Sequence, residues 1–189
     1  MSVGDYTADE WRIETLRAYH RWCETELDPL CPVLIGQAGA GRGHGERRGT
    51  AMFPNPRNTA GYRLFKMTGL TLDEYVSGFE RFNTIGHFPG HSGRGHKFPK
   101  KEARECAQNH IVTRRLMERP CIMIGKANAE AYFEQGDMPD ALTWKPVGTG
   151  SWVWMPHTSG IVQFWNQPGN AERVASVFAD LSDYVPGDV

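Results

Sequence analysis

Two apolar segments of strand length, far apart in the sequence, constrain the fold of this chain most. They are residues 33–39, VLIGQAG, and residues 152–160, WVWMPHTSG. Each begins with an apolar run and stops in small or polar residues. Ligands of an open parallel α/β sheet bind just beyond the carboxyl ends of its strands. The two segments therefore predict one pocket, with backbone at its floor and a histidine at its wall.

Helical and strand-like segments alternate along the chain. The apolar patterns predict strands over 32–36, 82–85, 121–124 and 152–155, and helices over 8–27, 60–68, 72–79, 100–118, 127–133 and 170–181. Thr7 and Glu10 form a capping-box pattern before the first helix. Strands separated by helices favour a parallel sheet covered on both faces. We therefore predict a three-layer α/β/α fold with a central, mostly parallel four-stranded sheet.

Length and composition predict a single globular domain. The chain has 189 residues, of which 40% are hydrophobic and 23% are charged. We expect one domain over 1–189, with an N-terminal helix within 1–30 and a core over 32–181. No apolar run is long enough to span a membrane, and the first residues lack the pattern of a signal peptide. Four cysteines without Cys-x-x-Cys spacing favour reduced thiols and a cytoplasmic location.

Charge is distributed unevenly, although the net charge is only −1. Between Arg81 and Arg119, nine basic residues are opposed by three acidic ones, a local balance of +6. A basic face on a nearly neutral protein can bind a phosphate backbone. A solvated helix face explains Arg104, Arg114 and Arg115 equally well.

The glycine-rich loop after the first strand, residues 36–43, matches neither common phosphate-binding fingerprint. It lacks the Gly-Lys-Ser/Thr ending of a Walker loop, and Ala38 interrupts the glycine spacing of a dinucleotide-binding loop. The loop is either a flexible turn or a pocket lined by backbone, because glycines let main-chain N–H groups approach a flat ligand.

Five motifs in order resemble the uracil-DNA glycosylase superfamily, and the resemblance covers about 32–181. The motifs are GQAG at 36–39, TAGYRLF at 59–65, FNTI at 82–85, CIMIGKA at 121–127, and MPHTSG at 155–160 with FWN at 164–166. The resemblance implies excision of a base from DNA, with uracil or a modified pyrimidine as the substrate. Each motif alone is weakly specific, whereas five in the same order are more so.

The resemblance places catalytic and base-binding roles on particular residues. His157 would donate a hydrogen bond to the departing base, whose negative charge grows in the transition state. Asn83 offers a donor and an acceptor to the O4 and N3–H edge of uracil. The base-binding set is completed by Gly36, Ala38 and Phe53, the last stacking on the flipped base, and Gln37 is a further catalytic candidate. A histidine that caps a strand, an asparagine in a turn and a core phenylalanine are the structural alternatives.

The first motif departs from the family pattern. Family members often carry Asp, Glu or Asn there to position the attacking water, whereas this chain has Gln37 and Ala38. Gln37 can orient water but cannot take a proton. Two classes of function therefore remain: a glycosylase, and a relative that binds or remodels a modified base or nucleotide without hydrolysis, covalently or reversibly.

A second loop is similar to that of a subgroup that binds uracil-DNA covalently. Residues 93–99, GRGHKFP, follow His87 and Phe88. In this comparison His96 is the nucleophile that traps the sugar and Arg94 its positioning partner; a basic loop that contacts phosphates is the alternative. Three histidines of this region, at 87, 91 and 96, have no carboxylate near them in sequence, so we expect no metal. The cysteine spacing also gives no iron–sulfur cluster, and we expect no cofactor.

The expected partner is DNA, either single-stranded or with a base flipped from a duplex. The residues expected to contact it are Arg42, Arg94, Lys97, Ser159, Gln163 and Trp165, of which Gln163 or Trp165 would wedge the duplex. We expect a monomer that does not bind membranes.

Overall fold

Helices and strands alternate along the part of the chain that the computed structural model describes, which is residues 6–24, 26–38, 51–57, 59–92, 95–96, 98–158 and 163–181. The strands there are β1 (Val33–Ala38), β2 (Glu80–Ile85), β3 (His91–Ser92), β4 (Gly95–His96), β5 (Pro120–Ile124), β6 (Lys145–Val147) and β7 (Gly150–Met155). The α-helices are α1 (Ala8–Glu24), α2 (Ala60–Thr68), α3 (Leu72–Ser77), α4 (Lys100–Thr113), α5 (Lys126–Tyr132) and α6 (Asn170–Ala179). Short 3-10 helices cover Leu116–Glu118 and Gln163–Asn166.

Five of these strands form one sheet in the order β2-β1-β5-β7-β6. β1 is parallel to β5, and β5 is parallel to β7. The predicted α/β fold with a mostly parallel sheet is therefore confirmed, but the predicted number of four strands is wrong. The additional strand, β6, is antiparallel to β7 and has Pro146 at its centre. Proline is accepted because β6 is an edge strand, and a three-residue strand around a proline has no strand pattern in sequence.

The alternating side chains of the strands bury both faces of the sheet. Val33 and Ile35 of β1 belong to a buried cluster with Ala103 of α4 and Ala129 of α5. Leu34 lies between them on the opposite face and is equally buried. Burial of both faces agrees with the layered arrangement that was predicted. It also explains the continuous apolar runs from which the sequence predicts these strands.

The chain forms two compact units whose segments alternate along the sequence. One unit comprises Met1–Pro32, Met52–Glu80 and Thr158–Val189, and it includes α1, α2, α3 and α6. The other comprises Val33–Ala51 and Arg81–His157, and it includes β1, β5, β6 and β7 with α4 and α5. The expectation of one domain over 1–189 stays a prediction.

The predicted capping box is present at the start of α1. The Thr7 backbone N–H donates to Glu10 Oε2 at 2.6 Å, and Thr7 Oγ1 accepts from the Glu10 N–H at 3.3 Å. These bonds satisfy donors that the first helical turn leaves without partners. The helix ends at Glu24 rather than at the predicted Leu27.

The helix α4 also ends earlier than the predicted residue 118. It stops at Thr113, and Arg115 adopts a left-handed conformation with φ of 52°. This conformation cannot continue a right-handed helix. The chain turns there into the 3-10 helix Leu116–Glu118, and Arg115 forms an ion pair with Glu118.

No helix among the described residues is long and apolar enough to cross a membrane.

The four cysteines differ in exposure. Cys31 and Cys121 are buried, Cys106 is partly buried and Cys23 is exposed. Burial raises the pKa of the Cys106 thiol above its ordinary value.

Candidate functional site

The carboxyl ends of the parallel strands lie along one edge of the sheet. Cys121 of β5 lies between Val33 of β1 and Trp152 of β7 in the register of the strands. The Gly125 N–H, just beyond β5, donates to Met155 O at 2.7 Å and extends the ladder to this edge. The predicted first and last motifs both begin here, because β1 ends at Ala38 and β7 leads directly to Pro156 and His157.

The Asn83 side chain lies directly over Gly36. A Cβ atom added to Gly36 would be 2.2 Å from Asn83 Oδ1 and 3.4 Å from Asn83 Cγ. Only a residue without a side chain allows this approach, since real Cβ atoms do not come that close to an oxygen. The structure thus brings together two residues that were predicted separately to bind a base. Asn83 is half-buried, so part of its surface remains accessible.

The Gln37 side chain makes a similar close contact with Gly125. A Cβ atom at Gly125 would be 2.4 Å from Gln37 Nε2, and Gly125 has a φ of +98°, a conformation that favours glycine. Gln37 and its neighbour Ala38 are both half-buried at the end of β1. The Gln37 amide therefore extends from β1 across the end of β5.

His157 is half-buried and lies two residues beyond the end of β7. In the sheet order, β7 is two strands from β1 and three strands from β2. Neighbouring strands are about 4.8 Å apart, so the ends of β1 and β7 are separated by roughly 10 Å. The end of β5, across which the Gln37 side chain extends, lies between them.

Asn128 is a polar residue at this edge that the sequence analysis did not identify. It is fully buried on α5, and its Nδ2 donates to the carbonyls of Ile35 at 3.0 Å and Gly36 at 3.2 Å. Its signal in the sequence is a polar residue on the apolar face of a helix, one turn before Ala131 and Tyr132.

Phe53, predicted to stack on a flipped base, belongs to the unit that contains α1 and α2. Its ring meets Tyr19 edge-on, with centroids 5.6 Å apart and an interplanar angle of 83°. Its backbone lies against Gly61, where a Cβ atom would be 2.2 Å from Phe53 O. The half-buried ring has a fixed aromatic neighbour, and its stacking role stays a prediction.

In the same unit, two hydrogen bonds anchor Thr158, the residue that follows His157. Thr158 is buried, and its hydroxyl donates to Ala60 O at 2.8 Å at the start of α2. The Thr158 carbonyl accepts from Arg63 Nη1 at 3.3 Å. These bonds fix Thr158 against the first turn of α2.

Most residues predicted to contact DNA lie outside the described residues, namely Arg42, Arg94, Lys97 and Ser159. Gln163 begins the 3-10 helix Gln163–Asn166. Trp165 in the same helix is half-buried and meets Phe164 edge-on, with centroids 5.1 Å apart. His96 lies in β4, where its backbone is paired with His91 of β3. His96 of the predicted nucleophile loop therefore lies in a two-stranded antiparallel sheet.

The basic segment between Arg81 and Arg119 is less exposed than its sequence indicates. Arg81 and Arg119 are buried, and the Arg114 guanidinium lies 4.2 Å from the centroid of the Phe82 ring. These arginines therefore do not form a fully solvated basic face. Other cations of the segment have acidic partners, including Lys100, which is 2.9 Å from Glu130.

An open groove of about 840 Å³ lies between α4 and α5, and none of its lining residues is a predicted site residue. Its charged residues are Lys100, Lys101, Arg104, Glu105, Glu130 and Glu134. Cations and anions are equal in number, so the lining carries no net charge. Within the described part of the chain, no group of three or more His, Cys, Asp or Glu side chains could hold a metal ion.

Comparison with known proteins gives no family assignment: no protein-family model and no curated protein matches this sequence. Any function for the sheet edge must therefore be argued from its own residues.

Proposed function

We propose that this chain is a DNA glycosylase-like enzyme that flips uracil or a modified pyrimidine out of DNA and cleaves its N-glycosidic bond. The observation that carries the proposal is the Asn83 amide lying over Gly36, at the sheet edge that also holds Gln37 and His157. The partner in this proposal is DNA, single-stranded or with a flipped base, and the protein acts as a cytoplasmic monomer.

Asn83 supplies the recognition of the base. Its amide has one acceptor and two donors, which complement the N3–H donor and the O4 acceptor of uracil. Contact with Gly36 restricts the orientations of this amide before a ligand binds. A group that is already ordered loses little conformational entropy on binding, and this favours selective recognition.

His157 and the first motif supply electrostatic stabilisation. When the bond between C1′ and N1 breaks, its electron pair moves onto the base and negative charge grows on O2. A ring N–H of His157 and the main-chain N–H groups of Gln37 and Ala38 are the donors that would bind this oxygen. Such donors lower the barrier because their charge faces the charge that develops in the transition state.

Hydrolysis then requires water to bond to C1′ and to lose a proton. Gln37 can orient this water but cannot accept the proton. Neither 36–38 nor 156–158 contains Asp or Glu, and this observation favours the second candidate, a non-hydrolytic binder of a modified base. In its covalent form, the unprotonated nitrogen of the His96 ring gives its electron pair to C1′ after the bond between C1′ and N1 has broken. The other ring nitrogen loses its proton, the departed base anion takes up a proton, and the DNA stays attached to the protein.

The proposal is tested by incubating the protein with single-stranded and duplex oligonucleotides that contain one uracil. Free uracil and abasic DNA are expected if the chain is a hydrolytic glycosylase. An adduct that survives denaturation, and that is lost in His96→Ala, indicates covalent trapping. If no pyrimidine lesion is released, trapped or bound more tightly than normal DNA, both candidates are wrong.

Two variants test the proposed catalytic roles. His157→Ala should lower the rate of base release by about 100- to 1000-fold, as expected when one transition-state donor is removed. His20→Ala is its control, because His20 is exposed on α1.

Gln37→Glu should raise hydrolysis at least tenfold, since a positioned general base typically contributes about 100-fold or more. A Gln37→Glu variant no faster than the wild type would mean that the missing carboxylate does not limit hydrolysis.

A further inference from the structure

A chain of buried hydrogen bonds connects the first motif to the strand that carries Asn83. Asn128 Oδ1 is 2.5 Å from Thr84 Oγ1, and Thr84 Oγ1 is 3.1 Å from the hydroxyl of Tyr132. The Tyr132 hydroxyl is in turn 3.3 Å from His110 Nδ1. Asn128, Thr84 and Tyr132 are all buried, so these polar groups depend on one another for hydrogen bonds.

The donor and acceptor roles in this series of hydrogen bonds are consistent with one direction of donation, from Tyr132 through Thr84 to Asn128. Asn128 uses both Nδ2 hydrogens on the carbonyls of Ile35 and Gly36, so its Oδ1 must accept. The single Thr84 hydroxyl proton goes to that oxygen, and Thr84 Oγ1 is then free to accept from the Tyr132 hydroxyl. Burial raises the pKa of Tyr132, so its hydroxyl keeps the proton that it donates. Each bond in such a chain polarises the next one.

We propose that Asn128 and Thr84 are positioning residues, which fix the Gly36–Gln37 peptide and the Asn83 side chain for base recognition. This inference rests on the proposed function, because it names how that site is held. Neither Asn128 nor Thr84 contacts the base in that proposal.

Peptide geometry explains how Asn128 acts on the first motif. The peptide bond between Gly36 and Gln37 is planar, and in its trans form the Gly36 C=O and the Gln37 N–H point in opposite directions. Holding the Gly36 carbonyl against Asn128 therefore directs the Gln37 N–H away from α5. The same bond fixes Gly36, on which the Asn83 amide lies.

Strand geometry explains how Thr84 acts on Asn83. Adjacent residues of a strand point to opposite faces. When the Thr84 hydroxyl is held by Asn128 and Tyr132, the rotation of β2 about its axis is set, and with it the direction of Asn83. Asn128 thus links the Gly36–Gln37 peptide of β1 to Asn83 of β2, through Thr84.

The test compares Thr84→Val, which keeps the shape but removes the hydroxyl, with Thr84→Ser, which retains the hydroxyl. Thr15→Val is the matched control, since Thr15 is equally buried and its hydroxyl bonds only to carbonyls of its own helix. Amide hydrogen exchange of Gly36, Gln37 and Asn83 is measured by NMR for the whole chain. Binding of a uracil-containing and a matched thymine-containing single strand is measured in parallel.

Thr84→Val should speed exchange at Gln37 and Asn83 at least tenfold more than at amides of β5, and Thr84→Ser should restore slow exchange. Thr84→Val should also lower the preference for uracil over thymine at least tenfold. Thr15→Val should change neither the exchange rates nor this preference. Equal acceleration at all amides would show a merely structural role and overturn the inference. A wild-type protein without preference for uracil would contradict the proposed function, and the exchange data would still decide the positioning role.

Discussion

At the scale of single residues, Gly36 is where packing and the proposed base recognition depend most directly on each other. A methyl group there would lie 2.2 Å from Asn83 Oδ1 and 3.5 Å from Ala51 Cβ. The Asn83 amide is the end of a flexible side chain, so it can move aside. Gly36→Ala should therefore lower the free energy of unfolding by only about 1–2 kcal/mol. It should weaken the preference for uracil over thymine at least tenfold, measured by oligonucleotide binding.

The control for this substitution is Gly86→Ala, which adds the same methyl group where no atom lies within 4 Å. It should change neither stability nor preference. A double variant with Asn83→Ala provides a further check, because residues that act through one another do not contribute additively. If the losses in preference from Gly36→Ala and Asn83→Ala add fully, the glycine does not act through Asn83.

The candidate site was predictable at this scale only where the residue types themselves carry chemistry. Gln37 and His157 stand directly after apolar runs, so their positions near strand ends followed from the sequence. Asn83 lies within β2 and was identified through the family resemblance. The contacts between Asn83 and Gly36 did not follow from the sequence, since they depend on a pairing of distant segments. Asn128 was missed for the same reason: an asparagine in a helix gives no local sign that it bonds to carbonyls of another element.

At the scale of elements, the capping box of α1 gives that helix a dependence on pH. The hydrogen bond from the Thr7 backbone N–H lowers the pKa of Glu10 below its ordinary value. A carboxyl whose pKa is lowered by folding stabilises the protein above its unfolded pKa, about 4.3, and loses this effect as pH falls through the folded pKa. Glu10→Gln should therefore be less stable than the wild type at pH 7, and the difference should shrink between about pH 5 and pH 3.

Urea denaturation at several pH values measures this difference. Glu24→Gln is the control, because it removes the same charge at the last residue of α1, outside the capping box. Thr7→Ala removes the hydroxyl that accepts from the Glu10 N–H but keeps the backbone N–H that binds the Glu10 carboxylate. It should lower stability at pH 7 by about 1 kcal/mol, as expected for the loss of an N-cap side chain. A difference between Glu10→Gln and the wild type that is constant from pH 7 to pH 3 would contradict this account.

Elements with strong local patterns were predicted well, and elements formed by tertiary contacts were not. The bounds of α2 agree with the prediction because Thr59 caps its first turn and Gly69 ends it in a left-handed conformation. The strand β6 exists because β7 offers a free edge, and nothing in Lys145–Val147 indicates a strand. The end of α4 depends on the left-handed Arg115, a conformation that sequence periodicity does not reveal.

At the scale of the whole molecule, the distribution of charge limits how the chain can hold DNA. The net charge is −1, Arg81 and Arg119 are buried, and Lys100 is paired with Glu130. General attraction to a polyanion is therefore weak. Under the proposed function, phosphate contacts come mainly from three predicted residues outside the described part of the chain: Arg42, Arg94 and Lys97.

This small number of contacts predicts a shallow salt dependence of binding. Each phosphate contact on a single strand contributes about −0.7 to the slope of log K against log salt concentration, so three contacts give a slope of about −2. Replacing Arg42, Arg94 and Lys97 with alanine should bring the slope close to zero. The matched triple variant replaces Lys100, Lys101 and Arg104 of the α4 groove and should leave it unchanged. A wild-type slope near −5 would mean that many more than three phosphates are contacted, and it would contradict the expected set. A slope that the groove variant flattens instead would mean that DNA lies along α4.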